Sequence, residues 1–315
     1  MWLGFFTMSD NISITPIIAK PDLILAHCKN QKYRFVLASA DLIFLQEHIE
    51  CLTSYEESEC NIPYLVGVYK QRGSNDEISQ KLNAIRKKHS LRKVLFFEFY
   101  SDALETEVLS KLSSSHASKL RINYIRNARF SLLTQLWKIF RSFKGDFKIS
   151  QASSYVIDFD SYFSTDLNRL AKKLYPESSM ILSWNSAIHT NKDFPKNLSG
   201  FGLDKTNNHE FIEPYKIIKA GFSIFSPSRL TRLFLKLMTL HTFGTTSSEI
   251  ANRLFSYYYS DQLSLLLALH DIKASGFSNL LDDLNWLDLS ESRLASLEQS
   301  ISPSIWLPKG NPKID

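Results

Sequence analysis

The chain has 315 residues, with 37 Lys and Arg against 32 Asp and Glu for a formal net charge of +5 at pH 7. Its 44% hydrophobic and 22% charged content is that of ordinary globular proteins and excludes general disorder. The mild basic excess excludes a dedicated nucleic-acid binder unless the charge is concentrated, and ten Gly with ten Pro exclude collagen-like or linker-like chains.

The opening Met1–Met8 is apolar but short, without the basic region and full apolar core of a secretory signal. No stretch approaches the roughly 18 uninterrupted apolar residues of a membrane helix. Cys28, Cys51 and Cys60 lack C-x-x-C spacing and read as reduced thiols, so a cytoplasmic protein is expected. From Arg34 the chain alternates short apolar strands with longer amphipathic segments: strands at 34–39, 62–69 and 93–99, helices at 42–53, to Lys88 and at 103–112. That alternation, with near-continuously apolar strands, is the mark of a mostly parallel sheet covered on both faces. A long helix is expected over 117–143, then strands at 155–160, 180–184 and 217–226 around a polar stretch, 185–214. Beyond Pro227, three-to-four spacing of Leu, Phe and Ile predicts helices at 227–240, 246–258 and 261–271.

The strongest chemical signal is Asp158-Phe-Asp160, just past the apolar run Tyr155-Val-Ile157. Ligands of open α/β sheets bind beyond the carboxyl ends of strands. Two carboxylates there suit a hard divalent cation, Mg²⁺ or Mn²⁺, which normally bridges to phosphates. The same tripeptide also fits a capped turn with a solvated second acid. Arg126 and Arg129 lie three apart on the long helix and share a face. Arginine forks match phosphate oxygens, although a solvated basic face or an anionic membrane surface would use the same residues. Gly221 interrupts a strand, which marks close approach of a ligand or another backbone. Asp261 stands at a helix start, as a cap or as an acceptor-site acid. His189, His209 and His241 have no mutual metal spacing. No G-x-S-x-G, G-x-G-x-x-G or G-x-x-x-x-G-K-[ST] is present, which disfavours serine hydrolase, dinucleotide and P-loop readings.

Taken in order, Tyr155-Val-Ile-Asp-Phe-Asp160, Ile218-Lys-Ala-Gly-Phe-Ser-Ile-Phe225 and Tyr259-Ser-Asp-Gln-Leu263 resemble the D-x-D, N-A-G and D-Q elements of GT-A fold glycosyltransferases. Weaker matches are Phe35-Val-Leu-Ala-Ser-Ala-Asp41, similar to a first nucleotide-site strand, and Ile305-Trp-Leu-Pro-Lys-Gly-Asn-Pro-Lys313, similar to a segment that folds over the diphosphate. The resemblance implies a single GT-A-like domain over 1–315, with a nucleotide-binding half at about 14–160. An acceptor half with a helical C-terminal portion would follow at about 161–315.

It implies a metal-dependent transfer from a nucleotide diphosphate sugar to a glycan, lipid-linked or protein hydroxyl, in glycan or glycoconjugate biosynthesis. Asp158 and Asp160 would hold Mn²⁺ or Mg²⁺. Asp41, Arg126, Arg129, Asp158, Gly221, Gln262, Lys309 and Lys313 would bind the donor. Asp261 would be the base of an inverting transfer, with Asp193 or Glu210 behind it, and a retaining transfer would need none. The basic helix suits peripheral contact with an anionic membrane face, and no nucleic-acid partner is expected. One departure is that no histidine follows His270 to supply the third metal ligand of many retaining members. The runner-up readings are a nucleotidyltransferase, against which the absence of a glycine-rich phosphate loop counts, and a non-catalytic scaffold on a degenerate transferase fold.

Overall fold

The computed structural model describes residues 15–28, 34–58, 60–71, 77–142, 153–163, 179–184, 218–243, 260–288 and 305–306. Strands β2 (Phe35–Ala40) and β3 (Tyr64–Tyr69) are buried at every position. Apolar residues on both sides of a strand require cover on both faces, and the sheet has it. Even positions of β2 (Val36, Ala38, Ala40) pack with α2 (Leu42–Glu47), α3 (Ile49–Glu57) and α4 (Glu77–Lys88). Odd positions (Phe35, Leu37) pack with α1 (Pro21–Cys28), α5 (Ser114–Ser142), α6 (Arg229–Phe243) and α7 (Ser260–Ala274).

The other strands are β1 (Ile17–Ile18), β4 (Val94–Tyr100), β5 (Ser154–Ile157), β7 (Met180–Trp184), β8 (Ile218–Phe225) and β9 (Leu284–Asp288). They complete an eight-stranded sheet in the order β1-β4-β3-β2-β5-β8-β7-β9. β4, β3, β2 and β5 run parallel. β8 alone reverses between β5 and β7, β9 is parallel to β7, and β1 closes the far edge antiparallel. The mostly parallel sheet flanked by helices on both faces is therefore as expected. β6 (Tyr162–Phe163) and β10 (Ile305–Trp306) pair antiparallel outside that sheet.

Several elements differ from expectation. The helix expected at 42–53 is two helices, broken at His48, whose φ of −119° and ψ of 35° are not helical. The one expected at 103–112 is a π turn, Leu104–Val108, followed by a 3₁₀ turn, Leu109–Lys111. α1 and β9 went unforeseen, although Pro21 with Asp22 in the first turn is a helix-start signal. The polar stretch 185–214 and the helix expected at 246–258 lie outside the described residues.

α5 follows its expectation closely. Tyr124, Ala128, Phe130, Leu133, Leu136 and Phe140 are buried along its apolar stripe, while Lys119, Lys138 and Arg141 are exposed. Arg121 donates through Nε and Nη2 to Glu105, whose Oε1 also accepts from Tyr69. That network removes one of the cations assigned to membrane contact. No helix among the described residues is long and apolar enough to cross a membrane.

Candidate active site at the end of β5

β5 ends at Ile157, and Asp158 begins the turn beyond it. The Asp158 amide donates to the Gly221 carbonyl at 2.9 Å, continuing the β5–β8 ladder by one bond. The Ser161 amide then donates to the Asp158 carbonyl at 3.2 Å and closes the turn that carries Asp160. At Gly221 a side chain would be crowded, since a Cβ would lie 3.0 Å from Asp158 Oδ2. The glycine thus lets β8 run directly beside the carboxylate. Gly221 and Asp158 meet through strand pairing rather than through a shared ligand alone.

α5 delivers the cation. Ser39, at the carboxyl end of β2, donates from Oγ to the Ile125 carbonyl at 2.6 Å and seats the helix on the sheet. Arg129 is one turn later on the same face. Its Nη2 lies 2.8 Å from Asp158 Oδ1 and 3.1 Å from Asp261 Oδ2, and its Nη1 donates to the Arg126 carbonyl at 2.9 Å. The guanidinium is 2% exposed, while the Asp158 and Asp261 side chains are 28% and 15% exposed. A buried cation therefore lies beneath two carboxylates that open outward. The Arg129 fork, expected from sequence to match phosphate oxygens, here meets two protein carboxylates and a carbonyl.

Asp261 sits in the first turn of α7, where a carboxylate complements the helix dipole. Its first-turn position agrees with the expected helix start, and Arg129 ties it to Asp158. Arg126 is half-buried one turn before Arg129. Asp41, at the carboxyl end of the neighbouring β2, caps α2 by accepting from the Phe44 amide at 2.8 Å. One oxygen of Asp41 thus has a local structural task. Gln262 belongs to α7, and its side chain lies outside the described residues, as do Asp193, Glu210, Lys309 and Lys313. The segment leading to the two lysines does come close. Ile305 pairs with Phe163 and Trp306 with Tyr162, just past the acidic turn.

Two neighbours were missed from sequence. Tyr64 is buried, which pushes its phenol well above the ordinary range, with Cys51, Asp160 and Asp158 adding to the rise and Arg129 opposing it. A tyrosine at the start of an apolar strand gives no sign of such neighbours. Ser161 is 1% exposed and its Oγ has no hydrogen-bond partner among the described residues. Its position directly after Asp160 was the available signal.

No family model and no curated sequence matches the chain. Solved structures that it resembles are glycosyltransferases. The apo WbbM bifunctional glycosyltransferase aligns at 14% identity and TM-score 0.40, covering 81% of this chain and 38% of that one. The galactosyltransferase LgtC, in complex with donor and acceptor sugar analogs, aligns at 12% identity and TM-score 0.44, covering 74% and 70%. A mannosyltransferase from S. cerevisiae aligns at 12% identity and TM-score 0.38, covering 87% and 81%. The chain thus spans 38% of the length of the first of these. What the residues around Asp158 can do rests on their own geometry.

Proposed function

We propose that the chain is a metal-dependent glycosyltransferase that moves a sugar from a nucleotide diphosphate sugar to a hydroxyl acceptor. The observation that carries this reading is the Arg129 bridge between Asp158 and Asp261, two acids that belong to separate motifs of the resemblance.

The donor set fits a hard divalent ion. Asp158 and Asp160 offer oxygen ligands on one turn, and the absent Gly221 side chain leaves Asp158 Oδ2 approachable. When bound there, Mn²⁺ or Mg²⁺ supplies Lewis-acid stabilisation of the departing diphosphate, worth several kcal/mol. The chain's own residues do the rest. Arg129 orients Asp158 and Asp261 from below and offsets their mutual repulsion. Asp261, held through Oδ2, takes the acceptor hydroxyl proton on Oδ1 in an inverting transfer, or accepts a hydrogen bond from a sugar hydroxyl in a retaining one. Arg126 and, from the segment after Trp306, Lys309 and Lys313 add cationic contacts to the diphosphate. Gln262 and Asp41 complete the donor side. The acceptor class is a glycan, lipid-linked or protein hydroxyl.

The test is a donor panel with Mn²⁺, measuring release of UDP, GDP and CMP. Product from one nucleotide sugar, abolished in Asp158→Asn, is the expected result. No release from any donor, together with no nucleotide-induced thermal shift, would leave the scaffold reading in its place.

A further inference from the structure

We infer that the break between α2 and α3 binds a thiophilic divalent cation of the Zn²⁺ class, at a site made by His48, Glu50 and Cys51 and separate from the acidic turn after β5. The His48 Nδ1, a Glu50 carboxylate oxygen and the Cys51 Sγ all lie within 4.8 Å of one another. Nδ1 to Oε1 is 3.7 Å. In an unbroken helix, positions two apart point to different faces. The non-helical backbone of His48 is what turns the three side chains toward one point.

The identity of the residue at the break favours a ligand over a cap. N-caps are normally Ser, Thr, Asp or Asn, whose oxygens accept from the next turn. His48 occupies that position for α3 and makes no side-chain capping bond. Its ring lies against Phe44, centroids 4.4 Å apart, which restrains its direction. The His48 and Glu50 side chains are 30% and 40% exposed, while Cys51 is buried, so an ion has an open approach and a thiol to close on.

One sulfur, one imidazole nitrogen and one carboxylate oxygen form a set that Zn²⁺ and Co²⁺ accept in tetrahedral geometry, with water in the fourth position. Mg²⁺ and Mn²⁺ prefer the all-oxygen turn instead. Binding forms the metal–sulfur bond as the Cys51 thiol releases its proton to solvent, the metal remaining divalent. The ion would brace the α2–α3 break, and α3 packs against β6, just past the acidic turn. The inference does not depend on the transferase reading.

Cobalt titration of the metal-free full-length protein tests it. One equivalent of Co²⁺ should bind with thiolate-to-metal charge-transfer absorption and be displaced by Zn²⁺. The band should persist in the Asp158→Asn/Asp160→Asn double variant, vanish in Cys51→Ser and weaken at least tenfold in affinity in His48→Gln. His48→Gln changes a part-exposed side chain, so it keeps the test open should Cys51→Ser fail to fold. A wild-type protein without the band, or a band unchanged in His48→Gln, would overturn the site.

Discussion

Arg129 Nη2 lies 2.8 Å from Asp158 Oδ1 and, through the same nitrogen, holds Asp261, which is 132 residues away along the chain. A guanidinium that is 2% exposed has lost its hydration, and its two carboxylate partners replace it. Removing it leaves two acids facing each other at the end of β5. Arg129→Leu should therefore destabilise the protein by about 3–5 kcal/mol in urea denaturation, against about 1–3 for Asp158→Asn. Additive effects in the double variant would show that the pair is not coupled.

Gly221→Val should spare the fold but not the site. Its Cβ would press on Asp158 Oδ2 at 3.0 Å, so the carboxylate must swing away from its present position. The expected result is roughly tenfold weaker Mn²⁺-dependent binding of the nucleotide diphosphate, equivalent to about 1.4 kcal/mol. Calorimetric titration reads it, with Gly221→Ala giving a smaller loss.

Truncation after Pro303 removes β10, whose two residues pair with Tyr162 and Phe163. A two-residue ladder adds little stability, so the melting temperature should change by only a few degrees. Nucleotide diphosphate affinity should fall much further, because the deletion also takes Lys309 and Lys313. Equal affinity in the truncated protein would remove both lysines from the site.

His241 and Asp271 join α6 to α7 at 2.7 Å. Burial raises the Asp271 carboxyl, but the His241 and His270 hydrogen bonds and charges outweigh it and hold the group well below its ordinary value of 3.8. A depressed carboxyl contributes stability above its unfolded value and loses it as the pH falls through the folded one. Asp271→Asn should cost about 0.5–1 kcal/mol at pH 5.5, discounted for partial exposure, and the gap to wild type should close in strong acid. Thermal melts across that range decide it.

Cys28 is buried, and burial pushes its thiol up to about 12. Cys60 is buried beside the Tyr55 hydroxyl at 3.3 Å. Neither should react with an aromatic disulfide reagent at pH 8 until denaturant opens the fold, because both are buried, and for Cys28 the raised thiol also disfavours the reactive thiolate. Rapid native-state labelling of Cys28 in a mass-spectrometric assay would contradict the packing of α1.

Local pattern carried the parallel strands, α5, the end of β5 at Asp158 and the helix start at Asp261, because apolar runs and three-to-four spacing depend on neighbours in sequence. The break at His48 was not legible, since LIFLQEHIECLTSYEE keeps helical spacing through it and only backbone dihedrals reveal the turn. Gly221 could be marked as a place of close approach, but not what approaches. Strand register decided that, by setting Phe222 against Ile157 and the glycine beside Asp158. The sequence by itself thus determined which residues were available for chemistry. Tertiary structure alone decided that Arg129 serves the acids and not the solvent, because burial of a charge depends on what the rest of the chain packs around it.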